Sequence, residues 1–251
     1  MKKVCKVIWS TNRLEYLIPT LKSQRSMLDF SGCEVHGIFI DDMPKNRHDG
    51  TVYELAKMFG YNEIILHQEN QGISKNWTQT FKMLSERDYD YVYHTEDDVT
   101  ITKPVKITDL IDILEKHQEL SQICLTRQAW YENEVDPVID PTDIRVGDYY
   151  MEYSEDYFWS LASFYPRNVT EFPYHEYTQH NLSEWVVANV LKNINLKTGK
   201  LKNATGPVNM CEHIGGYSIG KRLEPGEPGW EKFHMYDPQK KYNSRNGSLW
   251  K

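Results

Sequence analysis

Three consecutive carboxylates, Glu96-Asp97-Asp98, follow closely on the apolar run from Tyr89 to His94. Like charges this close repel one another unless a cation or hydrogen-bond donors offset them. A hard divalent ion with oxygen ligands, also in touch with substrate phosphates, is the economical partner. A second acidic pair, Asp41-Asp42, ends another apolar run, which weakens the alternative of a merely solvated acidic turn. Two further runs end in polar segments, Ser10-Thr11-Asn12-Arg13 and Asn70-Gln71-Gly72. A dinucleotide site would show GxGxxG after the first strand, and a P-loop GxxxxGK[ST]. Neither occurs, so something other than Gly-rich backbone must handle any phosphate here.

These segments close the strands of a repeating pattern. Val4 to Trp9 reads as a strand, followed by Leu14, Leu17, Ile18 and Leu21 at helical spacing. Val35 to Ile40 is a second strand, then a helix from Val52 to Phe59 and a short strand from Glu63 to Leu66. A helix with Trp77, Thr80, Phe81 and Leu84 on one face leads to the strand Tyr89 to His94. A helix carrying Ile107, Leu110, Ile111 and Leu114 then leads to Ile123-Cys124-Leu125. Such alternation predicts an α/β fold with a mostly parallel central sheet and helices on both faces. Ligands of open parallel sheets bind outside the carboxyl ends of the strands, where the polar segments lie. Beyond residue 126 the pattern loosens and aromatics crowd in, 14 of the 56 residues from Trp130 to Trp185. They serve either as stacking faces for a ligand or as a second core layer. A helix is expected from Ser183 to Leu191, and the last thirty residues read as loop.

Composition narrows the classes. A net charge of −7 argues against a nucleic-acid binder that relies on a broad basic face. No apolar run approaches the ~18–20 residues that span a bilayer, and the apolar stretch near the start is too short for a signal peptide. Cys5, Cys33, Cys124 and Cys211 form no CxxC pair, which points to buried or free thiols in a reducing, cytoplasmic setting. A chain of 251 residues can bury one large core or two modest ones without staples.

The series STNRLEYLIPTLKSQ, FIDD, ENQGISKNW and HTEDDV, in that order, resembles a nucleotide-sugar-dependent glycosyltransferase of the GT-A fold, family-2-like in its first half. The triplet Glu96-Asp97-Asp98 stands where that family has its DxD motif. WSLASFYPRNV, NLSEWVVANVL and CEHIGGYSIGKR extend the likeness to about residue 222. The resemblance implies one GT-A-like domain over 1–251: a nucleotide-binding half (1–125), a donor-sugar and acceptor half (126–222) with a smaller mixed region, and a loop-rich tail or lid (223–251). It implies a UDP-sugar donor, Mn²⁺ or Mg²⁺, and a carbohydrate or other hydroxyl-bearing acceptor. Thr11, Asn12 and Arg13 would line the base pocket. Asp41, favoured over its rival Asp42 because only one of two adjacent residues can point into the site, would accept a hydrogen bond from the base. The other acid would bind the nucleotide elsewhere or cap a helix or loop. Asn70, Gly72 and Lys75 would contact the nucleotide, with Lys75 otherwise an exposed helix lysine. Gly72 would allow close backbone approach.

Asp98 is the implied direct metal ligand and His213 the second, a neutral imidazole suiting Mn²⁺. Glu96 or Asp97 would serve the ribose or support the ligands from behind, because successive side chains alternate in extended chain and cannot all face one ion. Gly215-Gly216 would fold a late loop over the diphosphate, with Lys221 and Arg222 neutralising the leaving group. Glu184, at the start of the expected helix, is the implied general base of an inverting reaction, with Asp156 as the alternative. Ser163 and its neighbours from Ser160 would border the donor sugar. A sugar-phosphate nucleotidyltransferase would want a Gly-rich basic loop after the first strand, which STNRLEYL lacks. A non-catalytic nucleotide-sugar or glycan-binding module of the same fold is the reading from a different class.

Overall fold

The computed structural model describes residues 1–42, 50–125, 139–154, 161–171, 191, 196–204 and 209–215. Its first half follows the sequence pattern: β1 (Lys2–Ser10), α1 (Leu14–Met27), β2 (Leu28–Asp29), β3 (Cys33–Asp41), α2 (Thr51–Met58), β4 (Glu63–Leu66), α3 (Ile73–Ser85) and β5 (Tyr91–Glu96). β6 (Val99–Ile101), β7 (Val105–Lys106), α4 (Ile107–Lys116) and β8 (Leu120–Leu125) complete it. β5 begins and ends two residues later than the apolar run suggested, so Glu96 is its last residue. The described second half supplies β9 (Ile139–Val146), β10 (Tyr149–Ser154), β11 (Ser163–Pro166), β12 (Lys197–Asn203) and β13 (Cys211–His213). A 3₁₀ turn over Arg167–Glu171 follows β11.

Nine strands form one sheet in the order β4-β3-β1-β5-β11-β8-β12-β10-β9. β4, β3, β1 and β5 are mutually parallel, as are β8 and β12, whereas β11 and β10 are antiparallel to both of their neighbours. The predicted mostly parallel sheet is therefore present. What the sequence did not resolve is that the loosely patterned second half extends this sheet.

Alternation along the strands sorts the helices. Cys5, Val7, Trp9, Ile38, Ile40 and Val92 bury one face of the sheet against Trp77, Phe81 and Leu84 of α3. On the other face, Ile8 and Phe39 pack with Leu17 and Leu21 of α1 and with Val52 and Ala56 of α2. Tyr91, Tyr93 and Phe164 meet Leu110, Ile111 and Leu114 of α4 there. Each helix thus buries one apolar stripe at helical spacing against residues at period two. Phe164 and Tyr165, two of the crowded aromatics, point to opposite faces and are core residues.

Two small pairings stand apart from the large sheet. β2 pairs with β7, and β13 pairs antiparallel with β6, setting His213 opposite Val99.

Candidate active site

The register of the parallel strands gathers the polar segments along one edge. Ser10 lies opposite Asp41, Asp41 opposite Leu66, and Trp9 opposite Glu96. The loops past these ends lie at the usual binding position of an open α/β sheet.

The acid triplet splits as the chain leaves β5. Asp97, 1% exposed, turns back under the first loop. Its Oδ2 accepts from the Thr11 backbone N–H at 2.9 Å and the Ser10 hydroxyl at 3.2 Å. The Arg13 guanidinium reaches Oδ1 of Asp97 and Oδ2 of Asp98, the latter at 2.8 Å. Burial pushes the pKa of both carboxyls up, and the Arg13 charge pulls each the other way. Burial works against the Arg13 charge too, but the two carboxylates outweigh it and hold the guanidinium protonated. Asp97 is therefore committed to the protein's own cation and to the loop above it.

Glu96 and Asp98 also meet β13, which delivers His213. One ligand atom from each of Glu96, Asp98 and His213 lies within 4.8 Å of the others. His213 Nε2 stands 3.4 Å from Asp98 Oδ1, a buried oxygen with no hydrogen bond among the described residues. Such an oxygen is costly unless a ligand completes it. Two carboxylates and an imidazole form a donor set that fits Mn²⁺ or a similar divalent ion. The chain then closes over the carboxylate. The Ile214 N–H donates to the Asp98 carbonyl at 2.8 Å, and a methyl group on Gly215 would sit 2.0 Å from Asp98 Oδ2. Gly215 thus makes room for Asp98 itself, whereas the expected reason for this glycine was a diphosphate to cover.

The acidic pair after β3 divides its work between two loops. Asp41, fully buried, accepts from the Asn12 N–H at 3.2 Å, and Asn12 itself sits at a φ of 59°, a conformation that asparagine tolerates better than most residues. Asp42 takes the Gln71 N–H at 2.7 Å, the Gly72 N–H at 2.9 Å and the His67 ring at 2.9 Å. Asn70 Nδ2 adds a bond of 3.0 Å to the Asp42 carbonyl. Asp42 is thus the cap of the loop that opens α3, where its charge complements the helix N-terminus. Gly72 starts that helix at a φ of 76°, with nothing within 4 Å of an added Cβ; its backbone conformation, with no close protein neighbour, accounts for the glycine. Lys75 lies in the first turn of α3.

Thr11 Oγ1 and Ser163 Oγ are both buried and carry no hydrogen bond among the described residues. Ser163 follows Ala162, whose φ of 43° is unusual for a residue with a side chain. Sequence reasoning missed Ser10 and His67 as supports; it left Glu96 or Asp97 to serve the ribose or support the ligands from behind, and the structure brings Glu96 close to Asp98 and His213. Asp156, Glu184, Lys221, Arg222, Ser160 and Gly216 lie outside the described residues, as do the expected helix before Leu191 and the tail.

An open sheet of this topology is of the GT-A kind, as superposition on solved structures shows. No protein-family model matches the sequence, and no curated relative does. Solved structures match by fold. S. aureus TarS 1–349 superposes on all of the chain and 78% of its own, with a TM-score of 0.56 and 13% identity. The mannosyltransferase PcManGT from Pyrobaculum calidifontis, in complex with GDP-Man and Mn²⁺, covers 92% of the chain and 61% of its own at 0.56 and 10% identity. GalNAc-T7 with UDP, GalNAc and Mn²⁺ reaches 0.61 over 94% of the chain and 47% of its own, at 9% identity. The chain spans only 37% of a longer TarS structure. Identities this low carry the fold and nothing finer. Among the described residues no helix is long and apolar enough to cross a membrane.

Proposed function

We propose that the protein is a glycosyltransferase that moves a sugar from a UDP-sugar to an acceptor hydroxyl with the help of Mn²⁺ or Mg²⁺. The observation that carries this reading is the convergence of Glu96, Asp98 and His213 at the carboxyl end of β5. Solved relatives by fold hold UDP or GDP-Man, two of them with Mn²⁺. Asp98 and His213 hold the ion, with Glu96 either completing the set or facing the ribose. The ion, when bound, supplies positive charge to the departing diphosphate.

The chain's own residues do the rest. The loop of Thr11, Asn12 and Arg13, pinned from below by Asp41 and Asp97, forms the floor for base and ribose. Asp41, buried beneath that loop, acts on the base through the Asn12 backbone N–H that it holds. Asn70, Gly72 and Lys75 flank the nucleotide from the loop that Asp42 holds in place. Ser163 borders the donor sugar. Glu184, or Asp156 in its stead, takes the proton of the acceptor hydroxyl in an inverting displacement, and Lys221 offsets charge on the leaving group.

The test is UDP release from a panel of UDP-sugars with Mn²⁺, with and without carbohydrate acceptors, alongside Asp98→Asn. Metal-dependent release in wild type that falls at least a hundredfold in the variant supports the reading. UDP binding without turnover of any donor overturns it in favour of a binding module, and activity that survives Asp98→Asn overturns the metal assignment.

A further inference from the structure

We propose that Arg13 is a positioning residue for the metal site: by bridging Asp97 and Asp98 it holds Asp98 Oδ2 and leaves Oδ1 turned toward His213. The proposal rests on the reading of Glu96, Asp98 and His213 as a divalent-metal site. Among the described residues the two oxygens of Asp98 have different surroundings. Oδ2 lies 2.8 Å from the Arg13 guanidinium, whereas Oδ1 lies 3.4 Å from His213 Nε2 without a hydrogen bond. A short side chain whose carboxylate is anchored at one oxygen can present only the other. Without that anchor the carboxylate rotates, and ordering it costs part of the ion's binding energy.

The anchor is itself rigid. The Arg13 carbonyl accepts from Tyr16 N at 3.0 Å and Leu17 N at 2.8 Å, so the first turn of α1 fixes its backbone. Its guanidinium packs 5.4 Å from the centre of the Tyr16 ring, and Nε lies 3.4 Å from Asp97 Oδ2. One nitrogen, Nη2, reaches both carboxylates, and Nε adds a second contact to Asp97 that fixes the plane of the guanidinium, whereas a lysine ammonium acts as a point charge on a flexible stem. Asp97 has a matching part. Buried and shared between Arg13 and the first loop, it holds the guanidinium in place and does not serve as a ligand.

Mn²⁺ binding to the full chain, read from the free-ion signal in electron paramagnetic resonance, tests this without any turnover. Two variants are compared with wild type, each checked for cooperative thermal unfolding. R13Q/D97N removes one positive and one negative charge together, so the net charge of the site is unchanged, and buried Asp98 loses only the anchor under test. R13K keeps the charge and loses the planar guanidinium. The expected result is a Mn²⁺ Kd at least tenfold weaker in folded R13Q/D97N and several-fold weaker in R13K. A purely structural role would move the melting temperature and leave the Kd of the folded protein alone. Kd values within twofold of wild type, or tighter, overturn the proposal while leaving the metal site standing. Absence of Mn²⁺ binding in wild type overturns both. Should R13Q/D97N not unfold cooperatively, R13K decides.

Discussion

Asp97 and Asp98 are adjacent, identical in chemistry and both buried, yet their surroundings give them different work. Asp97 is surrounded by donors of the first loop, whereas one oxygen of Asp98 has no hydrogen bond among the described residues. Gly215 shows how little space surrounds that carboxylate. A Cβ at residue 215 would lie 2.0 Å from Asp98 Oδ2 and 2.9 Å from its Cβ, so either the loop or the carboxylate must move. Gly215→Ala is expected to weaken Mn²⁺ binding at least tenfold while costing about 1–3 kcal/mol of stability, as overpacking does. Calorimetric titration with Mn²⁺, paired with urea unfolding, checks both numbers. Unchanged affinity would mean that the loop yields and that the close approach has no bearing on the site.

At the scale of elements, the loops that follow β1 and β4 are built on carboxylates from the end of β3. Asp42 accepts three hydrogen bonds from residues 67 to 72 and lies at the N-terminus of α3. Replacing it with alanine strands two backbone donors and removes the anion from the helix start, at a cost of about 2 kcal/mol. Asp42→Ala is therefore expected to lower the urea midpoint and to weaken UDP binding in calorimetry, because Asn70, Gly72 and Lys75 lose their common support. Asp42→Asn, which retains an acceptor, should fall between the two. UDP affinity equal to wild type in a destabilised Asp42→Ala protein would show that the loop supports the fold alone. Such elements were largely legible in sequence. The stripes on α1, α3 and α4 give one face each, and the alternation in β1 and β3 gives two. The division of Asp41 from Asp42 was legible only as an alternative, since an apolar run ending in two acids does not say which carboxylate turns to which loop.

For the whole molecule, the sheet encloses a histidine whose protonation opposes the folded state. His94 lies in β5 among Trp9, Trp77 and Tyr165, with ring centroids 4.2, 5.5 and 6.5 Å away. Burial lowers its pKa from 6.5 to about 3. Between those values the unfolded chain binds a proton that the folded protein refuses. Stability therefore rises with pH across this window and is lost as pH falls, by about 1.4 kcal/mol per pH unit from this group. His94→Phe should remove that slope, measured as the difference between wild-type and variant unfolding free energies at pH 5 and pH 7. Parallel pH dependences in the two proteins would show that the fold does not exclude the proton.

The sequence by itself determined the strand–helix alternation, the helices on both faces and the run of acids at the strand ends, because hydrophobic period and chain polarity are local properties. It also limited how many of three consecutive acids can face one ion. Only the tertiary structure decided that β11 enters the sheet antiparallel between β5 and β8, and that β13 returns to β6 to bring His213 beside Asp98. It alone placed Arg13 between two carboxylates. Those arrangements depend on pairing between segments far apart in the chain and on side-chain direction within turns, and both are fixed by packing, on which the local pattern is silent.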